Sequence, residues 1–167
     1  GTSWADAFRG PDALHLALDA VQPGDQIWLA EGAYTPTRLA WEFDPHSIQF
    51  QLLVPAEIYG GFPAGGGDGS FDARDPDLHE TILEGADLAG TLLACRATDP
   101  ATRLDGLTFQ NARGSFDHYA ALRCTSPDTL ITNCDFLNNR TSVDGSGAAI
   151  LALIAAAADR ALGPWWD

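Results

Sequence analysis

Two aspartates in an internal repeat are the residues best placed to do chemistry. Residues 104–111 align with residues 131–138, so Asp105 and Asp135 fall in matching, strand-like copies. Glycoside hydrolysis needs two carboxylates within about 5–9.5 Å, a separation that neighbouring strands supply. The alignment sets Asp105 opposite Thr132 and Asp135 opposite Thr108, so neither aspartate faces the other. We expect solvated, outward-facing charges here, and a diagonal approach of the two carboxylates is the alternative.

Other polar side chains do not complete a catalytic set. Arg103 and Arg123 lie near the two aspartates in the sequence and are the cations that a diagonal site would use. His118 follows Asp117, yet no Ser or Cys nucleophile accompanies this pair, and the flanking residues predict a turn. Asn139 begins an Asn-Arg-Thr sequon, which is a glycan acceptor only on a eukaryotic secretory route. The sequence therefore predicts no catalytic residue.

Metal and cofactor sites are not predicted either. The glycine-rich run 65–69 is similar to a calcium-binding nonapeptide, but such motifs build a site in tandem copies, and here there is one. The surrounding stretch 63–77 predicts a surface loop. Cys95, Cys124 and Cys134 lack zinc-ligand spacing, so we expect structural thiols. A disulfide between Cys95 and Cys124 is the alternative, because they occupy similar positions in the repeat.

Charge and composition exclude several classes of partner. The 167-residue chain has a formal charge of −14, and its nine basic residues are all Arg. This acidic balance argues against binding to nucleic acid or to an anionic membrane surface, and the missing Lys excludes Schiff-base chemistry. No run of about 18 apolar residues is present, so we predict no transmembrane helix. An apolar content of 46% suffices for the core of one domain.

One helix and a series of short strands are expected to position these residues. Leu14, Ala17, Leu18 and Val21 recur at helical spacing, which predicts an amphipathic helix that stops at Pro23. After it, short apolar runs broken by Gly, Pro, Asp and Asn indicate strands. The predicted strands are 26–30, 47–53, 57–59, 81–84, 91–96, 102–111, 120–125 and 129–138.

The repeat also predicts which side chains stack. Matching strands that lie side by side, about 4.8 Å apart, bring like residues together. Alternate residues share a face, so each copy places an apolar row and a final asparagine on one side. The expected contacts are Phe109 with Phe136, Leu107 with Cys134, and Asn111 with Asn138 as an amide ladder. Such a face is core and carries no ligand.

Several segments resemble a known family. The Pro-Gly-Asp-Gln-Ile-Trp-Leu-Ala-Glu-Gly-Ala-Tyr-Thr-Pro run at 23–36 is similar to right-handed parallel β-helix repeat proteins of bacterial surfaces, in the style of polymorphic outer-membrane proteins. The internal repeat of about 27 residues, made of strands and turns, predicts a solenoid. The resemblance implies the corresponding all-β fold class, a right-handed parallel β-helix (solenoid), for which the N-terminal helix is the expected cap. The other similar segments are 1–8, 17–20, 58–62, 74–76, 81–85 and 145–150.

The repeat fades near residue 150. We therefore predict two parts, a β-helix with its N-terminal cap over 1–150 and a C-terminal helical tail or cap over 151–167. The segment 148–162 is expected to leave the solenoid as a helix that covers the last coil, because apolar residues recur there at close to helical spacing. Trp165 and Trp166 are costly to leave in water, so we expect them to pack against this chain or a neighbouring subunit.

The predicted function is that of a non-enzymatic β-helix module for structural display, adhesion or assembly. Its expected partners are other proteins, further copies of the chain or surface carbohydrate, and its expected location is extracellular or the bacterial cell surface. The alternative is a polysaccharide-active lyase or hydrolase, or a carbohydrate-binding β-helix, because coils of this kind host all of these functions. Two outward carboxylates within catalytic reach would favour the alternative.

Overall fold

The computed structural model describes residues 2–96, 102–114, 120–125, 128–141 and 148–152. These residues form one α-helix, two short 3-10 helices and a series of short strands. The helices are α1 (Ala13–Ala20) and the 3-10 helices Ala64–Gly66 and Phe71–Ala73; the strands are β1 (Gln26–Ala30), β2 (Gly32–Tyr34), β3 (Phe50–Leu52), β4 (Glu57–Phe62), β5 (Thr81–Glu84), β6 (Leu93–Cys95), β7 (Arg103–Asp105), β8 (Thr108–Gln110), β9 (Arg113–Gly114), β10 (Ala120–Cys124), β11 (Leu130–Thr132), β12 (Asp135–Leu137), β13 (Arg140–Thr141) and β14 (Ala148–Ala152).

The strands pair in parallel to form three four-stranded sheets and a two-stranded one. Their orders are β1-β4-β7-β11, β2-β5-β8-β12, β3-β6-β10-β14 and β9-β13. Partners are far apart in the sequence: Ile82 faces Thr108, and Gly32 faces Thr81. Parallel pairing requires such long connections. Each sheet face therefore brings together side chains from distant segments.

Helix α1 forms close to where the sequence predicts it. Leu14 and Leu18 are buried, as is Val21 just beyond the last turn. The backbone N–H of Val21 donates to the carbonyl of Ala17 at 3.0 Å and closes that turn. The helix packs against β3, and its apolar stripe joins the same core cluster as Phe50 of that strand. No helix in the described part of the chain is long and apolar enough to cross a membrane.

The core is built from alternate residues of all three large sheets. Ile27, Ile58 and Leu104 follow one another in register across β1, β4 and β7, and all three are buried. Phe50 and Leu83 enter the same cluster from the other two sheets. Burying a side chain of this size contributes about 1.5–3 kcal/mol. Because the inward positions are apolar, the residues between them face outward and carry whatever chemistry the sheets display.

The predicted fold class is wrong. Instead of an all-β, right-handed parallel β-helix, the described residues form several separate parallel sheets of short strands together with helix, a mixed α/β-like arrangement with no closed or solenoid sheet. The repeat behind the prediction holds only in the second half, where Phe109 faces Phe136 at the interval of the aligned copies. Nearer the N-terminus, paired residues are farther apart in the sequence, as Tyr59 and Asp105 are. Loops and short helices fill the longer intervals, which the repeat could not reveal.

Most predicted strands exist, but two of them are divided. β1 and β5 match the prediction residue for residue. The predicted strand 102–111 is β7 and β8, because Gly106 turns the chain between them with a φ of 71°. The predicted strand 129–138 is likewise β11 and β12, with Asn133 at a φ of 49° between them. Positive φ favours Gly and Asn, so these two residues were the available signal for a turn.

Strand β14 replaces the start of the predicted C-terminal helix. Residues Ala148–Ala152 pair in register with β10 and extend its sheet, so the helical prediction for 148–162 is wrong over this strand. The strand also runs across residue 150, the predicted boundary between the two parts of the chain. Residues 153–167, including the terminal tryptophan pair, lie outside the described residues.

The predicted stacking of Phe109 on Phe136 is confirmed. The ring centroids lie 4.8 Å apart, and the planes differ by 4°. Phe109 is fully buried, whereas Phe136 is partly buried at the edge of the core cluster. Cys134 also packs against this cluster, to which Leu107 belongs.

The predicted amide ladder is replaced by other contacts. Asn111 and Asn138 both have positive φ, 56° and 54°, which suits turn residues at matching positions. The side chain of Asn111, however, donates to the carboxylate of Glu84 at 3.0 and 3.1 Å instead of to Asn138. A carboxylate is the stronger acceptor for an amide donor, which explains the preference.

Asn139 ties two turns of the chain together. Its Oδ1 accepts a hydrogen bond from the Ala112 N–H at 2.9 Å, and its Nδ2 donates to the Phe109 carbonyl at 2.8 Å. Both ends of the amide are therefore committed to backbone groups of a neighbouring turn. The Nδ2 atom that a glycan would modify is thus already used in a structural hydrogen bond.

We expect Asn139→Ala to lower the free energy of unfolding by about 1–3 kcal/mol, because one backbone donor and one backbone acceptor lose their partner. Urea denaturation followed by circular dichroism measures the change. Asn138→Gly is the matched control: the φ of 54° at Asn138 suits Gly, so stability should stay within about 0.5 kcal/mol. Equal midpoints for Asn139→Ala and the wild type would contradict the proposed role.

Candidate functional site

The outward face of the β1-β4-β7-β11 sheet carries two rows of interacting polar and aromatic side chains. The first row consists of four residues that the strand register aligns with one another. The residues two positions earlier on each strand form the second row, because alternate residues of a strand share a face. We call both rows together the outer face: Trp28, Tyr59, Asp105 and Thr132 in the first row, and Gln26, Glu57, Arg103 and Leu130 in the second.

Asp105 is the buried centre of the outer face, with a side chain only 3% exposed. Its Oδ1 accepts from Arg74 at 2.5 Å and from Asn133 at 3.0 Å. Its Oδ2 accepts from Arg103 at 2.8 Å and from Thr132 at 2.7 Å. Burial alone would raise the pKa of Asp105, but these hydrogen bonds, led by that from Arg103, outweigh it and hold the pKa well below its usual range. Asp105 is therefore a fixed charge that has no proton to give.

Arg74 reaches Asp105 from the loop that follows β4. Its Nε donates to the Gly60 carbonyl at 2.5 Å, and its guanidinium lies 5.4 Å from the centroid of the Tyr59 ring. A Cβ at Gly106 would collide with Nη2 of Arg74, so glycine at position 106 leaves the room for this guanidinium. Arg74 thus fastens a loop to the sheet. Nothing in the local sequence marks it as a partner of Asp105, so sequence reasoning missed it.

A chain of hydrogen bonds orders the second row. Gln26 Nε2 donates to Glu57 Oε2 at 2.6 Å, and Trp28 Nε1 donates to Gln26 Oε1 at 3.1 Å. The Tyr59 hydroxyl donates to the same Glu57 oxygen at 3.1 Å. Burial and this hydrogen bond raise the pKa of Tyr59, so the phenol stays protonated. The polar ends of these side chains therefore hold one another in place before any partner arrives.

Aromatic rings cover one end of the outer face. Trp28 stacks on Phe62 with centroids 4.9 Å apart, and Trp4 meets the same Phe62 at 5.4 Å. Phe71 lies edge-on to Tyr59 at 5.0 Å and to Trp28 at 5.5 Å, and it remains 40% exposed. Such pairs contribute about 0.5–1.5 kcal/mol each beyond their burial. The cluster supplies a rigid apolar patch beside the charged centre.

A polar cleft of about 330 Å³ adjoins the outer face. Glu80 lines it and accepts a hydrogen bond from Thr108 Oγ1 at 3.0 Å, while Asp135 faces Thr108 across the register. Asn133 also lines the cleft and links it to the outer face through its bond to Asp105. A cleft of this size and polarity can accept hydrogen bonds from the hydroxyl groups of a small ligand.

The structure separates the two aspartates of the repeat. Asp105 faces Thr132 and Asp135 faces Thr108, as the alignment predicts. Asp135 is exposed, as expected for a solvated charge, but the same expectation is wrong for Asp105. The reason is Arg74, whose charge and loop cover the carboxylate. Arg74, Arg103, Thr132 and Asn133 donate hydrogen bonds to both oxygens of Asp105. The structure therefore does not support the alternative in which Asp105 and Asp135 approach each other diagonally as a catalytic pair.

The other residues singled out from the sequence are dispersed. Arg103 does bond to Asp105, whereas Arg123 lies on β10 in a different sheet. His118 and Asp117 lie outside the described residues. Of the two predicted cations, Arg103 therefore belongs to the outer face and Arg123 does not.

Cys95 and Cys124 lie opposite each other on β6 and β10, as their repeat positions predict. Both are buried, and both are free thiols, so the alternative of a disulfide is not realised. Hydrogen bonding with Cys124, together with burial, raises the pKa of the Cys95 thiol. Burial likewise raises the pKa of Cys134, which is only partly covered.

We expect three free thiols in the denatured, unreduced chain. In the folded protein Cys95 should be the slowest to alkylate, because burial blocks access and the raised pKa removes the reactive thiolate. A time course with a maleimide, read by mass spectrometry of peptides, measures both quantities. Cys95→Ser assigns the slow phase, and a denatured chain that shows a single thiol would contradict the expectation.

The glycine-rich run 65–69 serves packing and turn formation. Gly66 lies under the Trp4 ring, where a Cβ would collide with the ring carbons. Asp68 accepts from the backbone and hydroxyl of Ser70 at 2.9 and 2.8 Å, and these bonds lower its pKa. Within the described residues no three His, Cys, Asp or Glu side chains converge as metal ligands.

The outer face and the cleft therefore present hydrogen-bond donors, acceptors and aromatic rings in fixed positions, and carboxylates line the cleft. The donors around Asp105 come from three segments that meet there: the loop at Arg74 and strands β7 and β11. Comparison with known proteins adds no relative: no family model, no curated protein and no solved structure matches this chain.

Proposed function

We propose that this chain is a non-catalytic binding module of a secreted or bacterial cell-surface protein, which displays a rigid face to a partner. The state of Asp105 carries the proposal. Among the described residues it is the buried carboxylate, and it is fully hydrogen-bonded and held charged. A general acid needs a proton and a general base needs a lone pair that faces substrate, and Asp105 has neither. The buried charge instead fixes the surface around it.

The order of the outer face supports a binding role. Its side chains are already bonded to one another, as in the links from Gln26 to Glu57 and from Tyr59 to Glu57. A surface ordered in advance loses little conformational entropy when a partner binds. Phe71 and Arg103 both contact the Tyr59 ring, and their exposed parts offer the aromatic and cationic anchors that protein interfaces favour.

Charge restricts the partner. With a net charge of −14, the chain repels anionic polymers and attracts basic ones over a distance set by salt, and it leaves neutral ones unaffected. The similarity of residues 23–36 to bacterial surface proteins supports a location outside the cell. We therefore propose a basic or neutral partner at the cell surface, either a protein or a neutral glycan.

A second candidate function rests on the polar cleft. Glu80, Asp77 and Asp135 all line it, and Asp77 and Asp135 are exposed there. Carboxylates on the two sides of a sugar ring are the machinery of glycoside hydrolysis. This observation keeps a polysaccharide-active enzyme as the alternative.

Turnover distinguishes the two functions. We expect the full chain to release no new reducing ends and no unsaturated products from a panel of neutral and acidic polysaccharides, because the buried carboxylate of Asp105 is held charged and has no proton to give. The matched variants are Glu80→Gln and Asp135→Asn in the cleft, with Asp87→Asn as an exposed carboxylate elsewhere. Product formation that Glu80→Gln or Asp135→Asn abolishes and Asp87→Asn leaves intact would overturn the non-catalytic proposal.

A further inference from the structure

A groove of about 400 Å³ lies between α1 and the β3 edge of the β3-β6-β10-β14 sheet. It belongs to a different sheet from the outer face, and its volume is typical of ligand sites. Its wall from the helix side includes Leu18 and Asp19, and its wall from the strand side includes Gln49, Gln51 and Leu53. We call it the helix–strand groove.

Gln49 is an unpartnered polar side chain in the wall of this groove. It is 3% exposed, and its Nε2 has no hydrogen-bond partner. Its backbone N–H donates to the Arg38 carbonyl at 3.2 Å, which holds the residue in place. A buried amide donor without an acceptor costs stability, and a ligand carbonyl that accepts from it removes that cost.

The backbone N–H and C=O of Gln51 add a hydrogen-bond donor and an acceptor beside Gln49. β3 is the end strand of its sheet, and its Phe50 and Leu52 use β6: the Phe50 N–H donates to Leu92, and the Leu52 carbonyl accepts from Arg96. In a parallel ladder alternate residues turn to opposite sides, so the N–H and C=O of Gln51 point to the free edge. A free edge of this kind pairs with extended chain.

The rim of the groove is apolar and nearly uncharged. Leu39 is 44% exposed and Leu53 is 61% exposed, so both offer surface to an aliphatic group. Arg38 and Asp19 neutralise each other through a contact of 2.6 Å. Burial lowers the pKa of His15 on the helix side, so that imidazole is neutral at physiological pH.

From this geometry we infer that the helix–strand groove binds an extended peptide segment of a partner protein. The peptide pairs with the free N–H and C=O of Gln51, and one of its carbonyls accepts from Gln49 Nε2. An aliphatic side chain of the peptide rests on Leu39 and Leu53. The inference rests on the proposed binding function and names the class of partner for a second face of the module.

Two features favour a peptide over a glycan. The described lining combines amide and aliphatic side chains, which match peptide groups and aliphatic residues, and it lacks the exposed aromatic ring on which sugars stack. The net charge of −14 further selects neutral or basic peptides over acidic ones.

The test uses an array of N-acetylated, C-amidated octapeptides of neutral, basic and acidic composition, followed by fluorescence anisotropy of the hits with the full chain. We expect neutral and basic peptides with an aliphatic residue to bind, and acidic ones to bind weakly. Gln49→Met removes the amide at nearly constant volume, so it should weaken binding at least about tenfold without lowering the melting temperature. Gln110→Met on β8, outside the groove, is the matched control and should leave the affinity unchanged.

Gln51→Pro tests the edge pairing separately. Proline removes the N–H that faces the free edge, a position where strands tolerate it, so binding should fall while the folded structure persists. Gln49→Met decides alone if Gln51→Pro does not fold. The inference is overturned if no capped peptide binds, if Gln49→Met binds like the wild type, or if only glycans bind in a Gln49-dependent way. These results do not depend on turnover, which is the measurement that tests the non-catalytic proposal.

Discussion

Asp105→Ala is expected to lower the free energy of unfolding by about 3–5 kcal/mol. The change removes the acceptor that two guanidinium groups share, and the side chain of Arg74 is only 11% exposed, so its charge stays buried without a partner. It also frees the hydroxyl of Thr132 and the amide of Asn133. Urea denaturation at neutral pH measures the loss.

The control for Asp105→Ala is Asp87→Asn, which removes the charge and keeps a side chain that tolerates the φ of 58° at this position. Asp87 pairs with Arg113 at 2.5 Å, but both side chains are more than half exposed, so the loss should be below about 1 kcal/mol. Similar losses for the two variants would contradict the central role of Asp105.

The contribution of Asp105 also predicts a pH dependence. Its pKa in the folded protein lies below its value in the unfolded chain, which is about 3.9. The folded state therefore binds the proton less readily, and stability is fully present above that unfolded value and is lost as the pH falls below it toward the lowered pKa. Asp105→Ala should flatten the acid limb of the stability curve. An unchanged acid limb would show that other carboxylates govern acid unfolding.

Phe109→Ala is expected to cost about 3–5 kcal/mol. The side chain is fully buried, faces Leu83 across the register and stacks on Phe136, so truncation leaves a cavity between strands that cannot close. Phe136→Ala should cost roughly half as much, because its ring is only partly covered. Thermal and urea denaturation of both variants measure the order.

The control for Phe109→Ala is Phe43→Ala, which removes a side chain that is 94% exposed and should change stability by less than about 0.5 kcal/mol. A smaller loss of stability for Phe109→Ala than for Phe136→Ala would contradict the finding that Phe109 is the more deeply buried ring.

The sequence predicts local structure well and long-range arrangement poorly. Helical spacing locates α1, and the internal repeat sets Phe109 against Phe136 before any coordinate is known. The same repeat led to the wrong fold class, because it covers only strands with short connections. Between Tyr59 and its partner Asp105 lies a longer connection, whose length the repeat does not reveal. Periodicity reports on neighbours one repeat apart and carries no information on inserted segments.

The centre of the outer face shows the same limit. Alignment places Thr132 opposite Asp105 correctly, since both lie within the repeat. Arg74 lies outside the repeat, in a loop that its hydrogen bonds to the Gly60 carbonyl and to Asp105 hold against the sheet. That loop decides whether Asp105 is solvated or buried. Its burial changes the expected role from a free charge to a fixed one.

The parallel pairing has a consequence for how fast this chain folds. The strand pairs of the described residues join positions that are distant in the sequence, such as Ile82 with Thr108 and Gly32 with Thr81. Long loops must close before such contacts form, so folding in about milliseconds to seconds is expected, with high contact order as the cause. The contacts of Asp105 require the Arg74 loop, β7 and β11 to be in place together, so its ion pairs form after those strands have met. Interactions that form this late stabilise the protein mainly by lowering its unfolding rate.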